Sequence, residues 1–221
     1  MHLLIIDTST ERGLIAYCQD HVPIHLHFLP FGLNQSKTLM TDLQTILAPL
    51  GYPPPSLDFI GVTVGPGSYT GIRIGIAVAQ SLAYAWKLPL VGVPSLHGFV
   101  PIHEGSYAAV IDARIGGVYF LKGKKEQQTI TYEGEPQVAP LEEAYQQLKT
   151  ISCLVTPYAQ VLKTKLLHVG QWEESAPSAE ALAKSMLRQI EQGKVVIPPQ
   201  QVPILYLRET EAERARQQKI I

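Results

Sequence analysis

Residues 64–75 read VGPGSYTGIRIG, and this glycine-rich stretch decides how the first half of the chain folds. It follows an apolar run at Phe59–Val64 that predicts a buried strand, and it leads into Gly71–Trp86, whose apolar spacing predicts a helix. A second short apolar run, Leu90–Val93, follows the helix. A strand–helix–strand unit of this kind predicts two parallel strands joined by a right-handed crossover. The sequence therefore predicts an α/β fold.

A glycine loop between a strand and a helix is typical of three kinds of site, and this loop lacks residues that each of them requires. A Walker loop has a second glycine where this chain has Thr70, and then a lysine, which is missing here. The dinucleotide motif GxGxxG fits Gly65 and Gly67 but again has Thr70 in place of its third glycine. The nucleophile elbow GxSxG fails around Ser68, because Pro66 and Thr70 replace both of its glycines.

The helix behind the loop has small residues at every fourth position, namely Gly71, Gly75, Ala79 and Ala83. A ridge of this kind lets another helix approach closely. The remaining positions are almost all apolar, and a helix that is apolar on nearly every face must be buried on nearly every face. We therefore predict that a second polypeptide covers the ridge. The alternative is that the second half of the same chain covers it.

The opening pattern of the chain recurs near its middle. Leu3–Ile6, Asp7, a polar turn and Leu14–Cys18 predict a hairpin, and Ala109–Asp112, a tight turn and Val118–Leu121 repeat the plan. This recurrence predicts two copies of one α/β lobe.

Further apolar patterns predict the other elements of the two lobes. The predicted helices are Gln35–Leu50, Leu141–Lys149 and Ala179–Ile190, the predicted strands are Val22–Leu29, Ile151–Val155 and Leu166–Val169, Val195–Pro203 is predicted to be extended, and Glu209–Ile221 is predicted to be a charged, fraying helix.

Composition excludes several classes of protein. The 221 residues are 46% hydrophobic and 17% charged, which is typical of a globular protein. The net charge of −1 and the lack of a basic stripe predict that any contact with nucleic acid is indirect. Two cysteines cannot form a disulfide framework, and no apolar run approaches the ~18 residues of a membrane span. We expect a cytoplasmic protein.

Two kinds of side chain invite a chemical role. Asp7 and Asp112 end corresponding strands and could converge on a cleft to hold Mg²⁺ on a nucleotide, or each could cap its own tight turn. His21 and His25 have the spacing of a metal pair, with His27 close by, but on a strand the first two would stand ~13 Å apart. No metal site is predicted.

At this point the motifs resemble those of a known family. Asp7–Thr10, the stretch at residues 65–75, Asp112–Arg114 and the late YLR at residues 206–208 are similar to the bacterial TsaB family, also called YeaZ, along nearly the whole chain. The resemblance implies two lobes of the actin/Hsp70/sugar-kinase (ASKHA) type with ribonuclease H-like mixed sheets, the second lobe reduced. It also implies an N-terminal lobe at residues 1–100, a smaller lobe at 101–207 and a charged tail at 208–221.

The same resemblance implies an accessory subunit with no catalytic residue. It would be required for threonylcarbamoylation of A37 in ANN-decoding tRNAs, acting by pairing with the catalytic subunit TsaD and with the ATPase TsaE, or with a second copy of itself, and contacting tRNA only indirectly. No tightly bound cofactor is expected, and ATP or ADP only at the interface of the complex. The rival interpretations are a nucleotide-dependent phosphotransferase using Asp7, Thr8 and Asp112, a glycoprotease-like enzyme, and a regulatory homodimer.

The expected site residues fall into two groups. The partner-binding set is Gly65, Pro66, Gly67, Ser68, Tyr69, Thr70, Gly71, Arg73, Gly75, Ala79 and Ala83, with Ser68 or Thr70 capping the helix. A vestigial nucleotide cleft would comprise Asp7, Thr8, Ser9 and Asp112. Many members of the family have a histidine where this chain has Gln35, so no role of that histidine is transferred.

Overall fold

The first half of the chain forms a five-stranded sheet with two helices. The computed structural model describes residues 1–32, 35–114, 116–166, 170–197 and 201–207. The elements of the first half are β1 (His2–Asp7), β2 (Leu14–Gln19), β3 (Val22–Phe28), α1 (Leu39–Leu47), β4 (Phe59–Thr63), α2 (Tyr69–Trp86) and β5 (Leu90–Val93), with 3₁₀ turns at Gln35–Lys37 and Ser95–Gly98.

The second half forms another five-stranded sheet and three further helices. Its elements are β6 (Gly105–Asp112), β7 (Gly117–Glu126), β8 (Thr129–Pro140), α3 (Leu141–Leu148), β9 (Cys153–Thr156), α4 (Ala159–Lys163), β10 (Gln171–Glu174) and α5 (Ala179–Glu191). In the described parts of the chain, no helix is both long enough and apolar enough to cross a membrane.

The two sheets have the same topology, which confirms the predicted duplication. The strand order is β3-β2-β1-β4-β5 in the first sheet and β8-β7-β6-β9-β10 in the second. In each sheet the first three strands along the chain are antiparallel neighbours, the fourth pairs in parallel with the central strand, and the fifth pairs in parallel with the fourth. The fold is therefore α/β with two ribonuclease H-like, actin-like lobes.

The central strand β1 is buried on both faces because helices cover both sides of the first sheet. Leu4 and Ile6 point into a cluster that includes side chains of α1 and α2. Leu3 and Ile5 point to the opposite face, where they pack with α5. This accounts for the continuous apolar run at the start of the sequence, since a strand covered on both faces does not alternate.

The last described segments return from the second half to the first. On α5, Leu182 and Met186 are fully buried against the first sheet, and the sulfur of Met186 lies where a Cβ on Gly61 of β4 would stand. Val196 then forms a bridge with Leu90 at the end of the sheet. The helix that closes the first sheet thus lies far from that sheet in the sequence.

Most predicted elements are confirmed, with ends shifted by a few residues. The predicted helix Gln35–Leu50 is wrong in its length, since it consists of a 3₁₀ turn and the shorter α1. The strands β8 and β10 and the short α4 are additional to the predictions. Residues 167–169 of the predicted strand Leu166–Val169, and the predicted tail helix, lie outside the described residues. The lobe boundaries at residues 100 and 207 stay predictions.

Candidate functional site

The glycine loop is shaped by contacts within the chain. A Cβ on Gly65 would stand 2.9 Å from the carbonyl oxygen of Leu205, and a Cβ on Gly67 would stand 2.1 Å from that of Ser9. Gly65 also has a φ of +104°, which favours glycine. The backbone of the loop is held by hydrogen bonds from Ser95 N to Gly65 O and from Leu205 N to Val64 O, both 2.8 Å. The glycines therefore admit the chain's own backbone.

The loop ends by capping α2. Ser68 has an extended backbone conformation, and its side-chain oxygen accepts a hydrogen bond from Gly71 N at 3.2 Å. This satisfies one of the free amides at the start of the helix. Of the two predicted caps, Ser68 fills the role, and Thr70 is the second residue of the helix.

The small-residue ridge of α2 faces the first sheet, which corrects the prediction that a second polypeptide covers it. A Cβ on Gly71 would stand 2.1 Å from the backbone oxygen of Thr8, and one on Gly75 would stand 2.4 Å from the Thr8 hydroxyl. Ala79 and Ala83 are fully buried in the core of the first half. Gly75, Ala79 and Ala83 therefore cannot touch a partner in this conformation, because the chain's own β1 and β4 fill the space beside them.

The opposite side of α2 is open to solvent and differs in chemistry from the ridge. We call it the outer face of α2; its exposed residues are Tyr69, Thr70, Arg73, Ala77, Ser81, Tyr84 and Ala85. Ile74 and Val78 flank it and are half-buried. Arg73 is the sole charged residue in the sequence of α2. This face combines apolar surface with two aromatic rings and one positive charge.

An aromatic cluster fixes the start of the outer face. The Arg73 guanidinium lies over the Tyr69 ring, 4.1 Å from its centroid, and its Nε donates a hydrogen bond to the Tyr206 hydroxyl at 3.0 Å. The Tyr69 and Tyr206 rings stack with centroids 5.6 Å apart. Tyr206 belongs to the late YLR motif, whose Arg208 lies outside the described residues. The four-residue spacing of Tyr69 and Arg73 indicates their contact, but no local pattern indicates Tyr206.

A small pocket lies between the β1–β2 turn and the start of α2. Thr10, Gln35, Ser68 and Thr70 are among its lining residues. Gln35 is almost fully buried, and its side-chain amide donates a hydrogen bond to the Thr10 carbonyl at 3.1 Å. Gln35 thus holds the β1–β2 turn in place.

Asp7 is buried, and its carboxylate accepts hydrogen bonds from its own turn and from β4. Its Oδ1 accepts hydrogen bonds from the Ser9 amide at 2.9 Å, the Ser9 hydroxyl at 2.6 Å and the Thr63 hydroxyl at 2.7 Å. Oδ2 has no hydrogen-bond partner among the described residues. Burial raises the pKa of this carboxyl, against the lowering effect of those hydrogen bonds. Asp7, Thr8 and Ser9 are all buried, and Thr8 also lines the small pocket beside the start of α2.

Asp112 holds the corresponding turn in the second half. Its Oδ1 accepts a hydrogen bond from Arg114 N at 2.9 Å, as Asp7 accepts one from the amide two residues on. Its Oδ2 pairs with Lys165 at 2.7 Å. Both aspartates therefore cap their turns, the second of the two readings that the sequence left open. Their hydrogen-bond partners are different, and the nucleotide cleft of Asp7, Thr8, Ser9 and Asp112 stays a prediction.

One histidine of β3 lies beside a carboxylate of α1. His27 pairs with Asp42 of α1 at 3.3 Å. Within the described ranges, no group of three or more His, Cys, Asp and Glu side chains is placed to hold a metal ion. The expectation that the protein has no metal site remains a prediction.

Comparison with known proteins shows to which class of protein this chain belongs. The paired sheets are those of a two-lobed, actin-like protein, and the family model "TsaD: tRNA N6-adenosine threonylcarbamoyltransferase" matches residues 33–151. Since that match covers more than half of the chain, the chain belongs to this family.

Two individual relatives differ in how much of their own length this chain covers. The Escherichia coli K12 protein "tRNA threonylcarbamoyladenosine biosynthesis protein TsaB" is 29% identical, over 94% of this chain and 95% of its own length. A tRNA N6-adenosine threonylcarbamoyltransferase of Burkholderia pseudomallei 1106a is 25% identical, over 83% of this chain and only 60% of its own length. The resemblance to the TsaB family is confirmed.

A solved structure supports the fold independently. YeaZ from Pseudomonas aeruginosa superimposes with a TM-score of 0.75 and 23% identity, covering 93% of this chain and 99% of that protein. The two-lobed architecture is therefore shared along essentially the full length of both chains.

Proposed function

We propose that this chain is a non-catalytic subunit required for threonylcarbamoylation of A37 in ANN-decoding tRNAs. The observation that carries the proposal is the match to the E. coli TsaB protein over 94% of this chain and 95% of that one. The catalytic partner would be a transferase of the TsaD class, with the ATPase TsaE as a further component. The chain would work in the cytoplasm and meet tRNA only through this complex.

The outer face of α2 is the surface we propose for docking the transferase. It exposes Tyr69, Arg73 and Tyr84, residue types that dominate binding energy at protein interfaces. Half-buried Ile74 and Val78 add apolar area without leaving the helix unstable in water. The ridge Gly71, Gly75, Ala79 and Ala83 would act indirectly, by seating α2 on the first sheet so that this face points outward.

The loop before the helix contributes to the same surface by holding its first turn. Gly65, Pro66 and Gly67 position Ser68, and Ser68 caps the helix that begins with Tyr69. A second copy of the chain would use the same outer face, so self-pairing and docking of the transferase would exclude each other.

The state of the two turn aspartates supports a role without catalysis. A general acid or base must come within hydrogen-bond reach of its substrate. Asp7 is fully buried and already accepts three hydrogen bonds, and Asp112 is paired with Lys165. An enzymatic role for either carboxylate would require these contacts to break.

The docking surface is tested with Tyr69→Ala and Arg73→Ala. Each change removes an exposed contact, so we expect the fold to persist and the affinity for the TsaD-class transferase to fall at least about tenfold, measured by calorimetry. Tyr52→Ala is the matched control, because Tyr52 is similarly exposed at the far end of α1. Wild-type affinity in both α2 variants would place docking elsewhere.

The function itself is tested by reconstitution. Modified A37 in an ANN-decoding tRNA is measured by mass spectrometry, in reactions with the transferase and TsaE, with and without this chain. We expect modification to depend on the chain and to survive Asp7→Asn if folding is retained. Hydrolysis of ATP–Mg²⁺ by the isolated chain that is lost in Asp7→Asn would favour the enzymatic alternative.

A further inference from the structure

One arginine of the β1–β2 turn reaches from the first half of the chain to the second. Arg12 Nε donates a hydrogen bond to the carbonyl oxygen of Pro157 at 2.7 Å. The same guanidinium forms an ion pair with Glu174 of β10. On its own side it lies 5.1 Å from the centroid of the Phe31 ring. Three different partners therefore hold one side chain.

The residues of the second half that Arg12 contacts are also bonded to one another and packed against Phe31. The second carboxylate oxygen of Glu174 accepts a hydrogen bond from Ala159 N, at the start of α4, at 2.9 Å. Phe31 meets Tyr158 edge-on, with ring centroids 5.5 Å apart. Arg12 and Phe31 of the first half thus contact residues 157–159 and Glu174 of the second half. We call this set of contacts the Arg12 latch.

Arg12 has more partners than a side chain in an ordinary surface ion pair. An exposed pair contributes about 0–1 kcal/mol, because water screens it and two long side chains must be ordered. Here the Arg12 and Glu174 side chains are 33% and 36% exposed, and the guanidinium also has a carbonyl acceptor and an aromatic ring. All of these contacts use the one ordered Arg12 side chain, so the conformational entropy of that side chain is lost only once.

The turn that carries Arg12 is also bonded to the start of α2. The Ser9 carbonyl accepts a hydrogen bond from Ser68 N at 2.7 Å, and the Thr8 hydroxyl donates one to the Gly71 carbonyl at 2.7 Å. Between these contacts and the latch, the Thr10 hydroxyl donates to Arg12 O at 3.0 Å and accepts from Arg12 N at 3.2 Å. Hydrogen bonds, together with the covalent backbone from Ser9 to Arg12, therefore link the second half to the N-terminus of α2.

We propose that the β1–β2 turn is a mechanical link through which the Arg12 latch sets the first turn of α2. While the latch is closed, the second half holds the turn, and the turn holds the N-terminal backbone of the helix. When the contacts of the Arg12 latch break, residues 157–159 and the first turn of α2 both become less firmly held. The consequence for docking on the outer face of α2 rests on the proposed function, whereas the link itself is a property of the isolated chain.

Native-state hydrogen exchange on the isolated chain tests the link at two amides. The Ala159 amide reports on the latch because it donates to Glu174, and the Ser68 amide reports on α2 because it donates to Ser9. In Arg12→Ala we expect exchange of both amides to accelerate about tenfold. In Glu174→Ala the Ser68 amide is the decisive readout, because Glu174 has no direct hydrogen bond to it.

Controls separate the link from a general loss of stability. Lys165→Ala removes an ion pair of similar exposure within the second half, so it should leave the Ser68 amide unchanged. Amides of the buried strand β1 should also keep their exchange rates. The proposal is overturned if Ser68 exchange stays at the wild-type rate in Arg12→Ala and Glu174→Ala, or if β1 amides accelerate by the same factor. Because no partner is present, a failure of the docking proposal leaves this result unaffected.

Discussion

At Gly75 a Cβ would meet the Thr8 hydroxyl at 2.4 Å, and at Gly71 it would meet the Thr8 carbonyl at 2.1 Å. The size of residues along this edge of α2 is therefore set by the β1–β2 turn of the same chain. A repeat of small residues every four positions shows that something approaches the helix closely. It does not show whether the approaching atoms belong to another chain, a sheet or a turn.

Two alanines of α2 separate packing from docking. Ala79 is fully buried against the first sheet, so Ala79→Leu should lower the free energy of unfolding by about 1–3 kcal/mol through overpacking. Ala77 is exposed on the outer face, so Ala77→Leu should leave stability within about 0.5 kcal/mol and weaken only the binding of the partner. Chemical denaturation measures the first quantity and calorimetry the second. Equal destabilisation by both changes would contradict the described orientation of α2.

Individual roles could be predicted from the sequence where the interaction is local. The cap by Ser68 and the turn bonds of Asp7 and Asp112 join residues two or three positions apart, so residue type and spacing are sufficient. The contacts of Arg12 with Pro157 and Glu174 cross more than 140 positions, and no local pattern contains them. The same limit applies to Tyr206 against Arg73.

At the scale of elements, the 3₁₀ turn at Ser95–Gly98 joins the two sheets to α5. His97 Nδ1 is hydrogen-bonded to the Ser185 hydroxyl at 2.6 Å, and the His97 ring stacks on Tyr132 of β8 with centroids 4.1 Å apart. The Tyr132 hydroxyl donates to the His97 carbonyl at 3.0 Å. Burial, reinforced by the charge of Arg188, lowers the pKa of His97 to about 4.

This shift predicts that stability falls on acidification. Between pH 6.5 and about 4 the unfolded chain binds a proton at His97 and the folded chain does not, so the free energy of unfolding should fall by up to about 3 kcal/mol. His97→Gln should flatten this part of the pH profile in urea denaturation. Exposed His103→Gln is the control and should leave the slope unchanged.

The comparison between variants is needed because Asp7 acts in the opposite direction. Its raised pKa means that the folded state binds a proton more readily than the unfolded state, so that carboxyl favours folding at low pH. If the free energy of unfolding has the same slope against pH in wild type and in His97→Gln, the surroundings of His97 in the folded protein do not disfavour its protonation.

Elements with a clear hydrophobic period were the predictable ones. The apolar runs of β1, β4 and β5 and the pattern of α5 match the structure within a few residues. The long β8 is harder to predict because its alternation of exposed and half-buried residues at Thr129–Glu133 is short and is interrupted by the exposed run at residues 133–135. The helix at residues 35–50 is shorter than its apolar spacing indicates, because its first turn is 3₁₀ and bends Gln35 into the pocket.

At the scale of the whole molecule, the halves are not independent along the sequence. α5 follows the second sheet but buries Leu182, Ala183 and Met186 against the first. Ser178 N donates a hydrogen bond to Gly98 O at 2.7 Å, so the start of α5 lies beside the end of the first half. The duplication was readable from the recurring strand–aspartate–turn pattern, whereas this return of the chain was not.

The packing of α5 predicts how fragments behave. A fragment of residues 1–100 lacks the helix that covers Leu3 and Ile5, so we expect no cooperative thermal unfolding transition by circular dichroism and strong binding of a hydrophobic dye. A shortened chain in which a brief Gly–Ser linker replaces residues 101–176 should regain cooperative unfolding, because the two ends are already adjacent. A cooperative transition in the fragment alone would show that α5 is dispensable for the first sheet.

The late position of α5 also has a consequence during synthesis. Its first residue is translated 86 residues after the end of β5, which takes roughly 4–17 s at the usual speed of ribosomes. Until then one side of the first sheet remains uncovered in the nascent polypeptide. The pace of translation through the second half therefore sets how long chaperones must shield that side from aggregation.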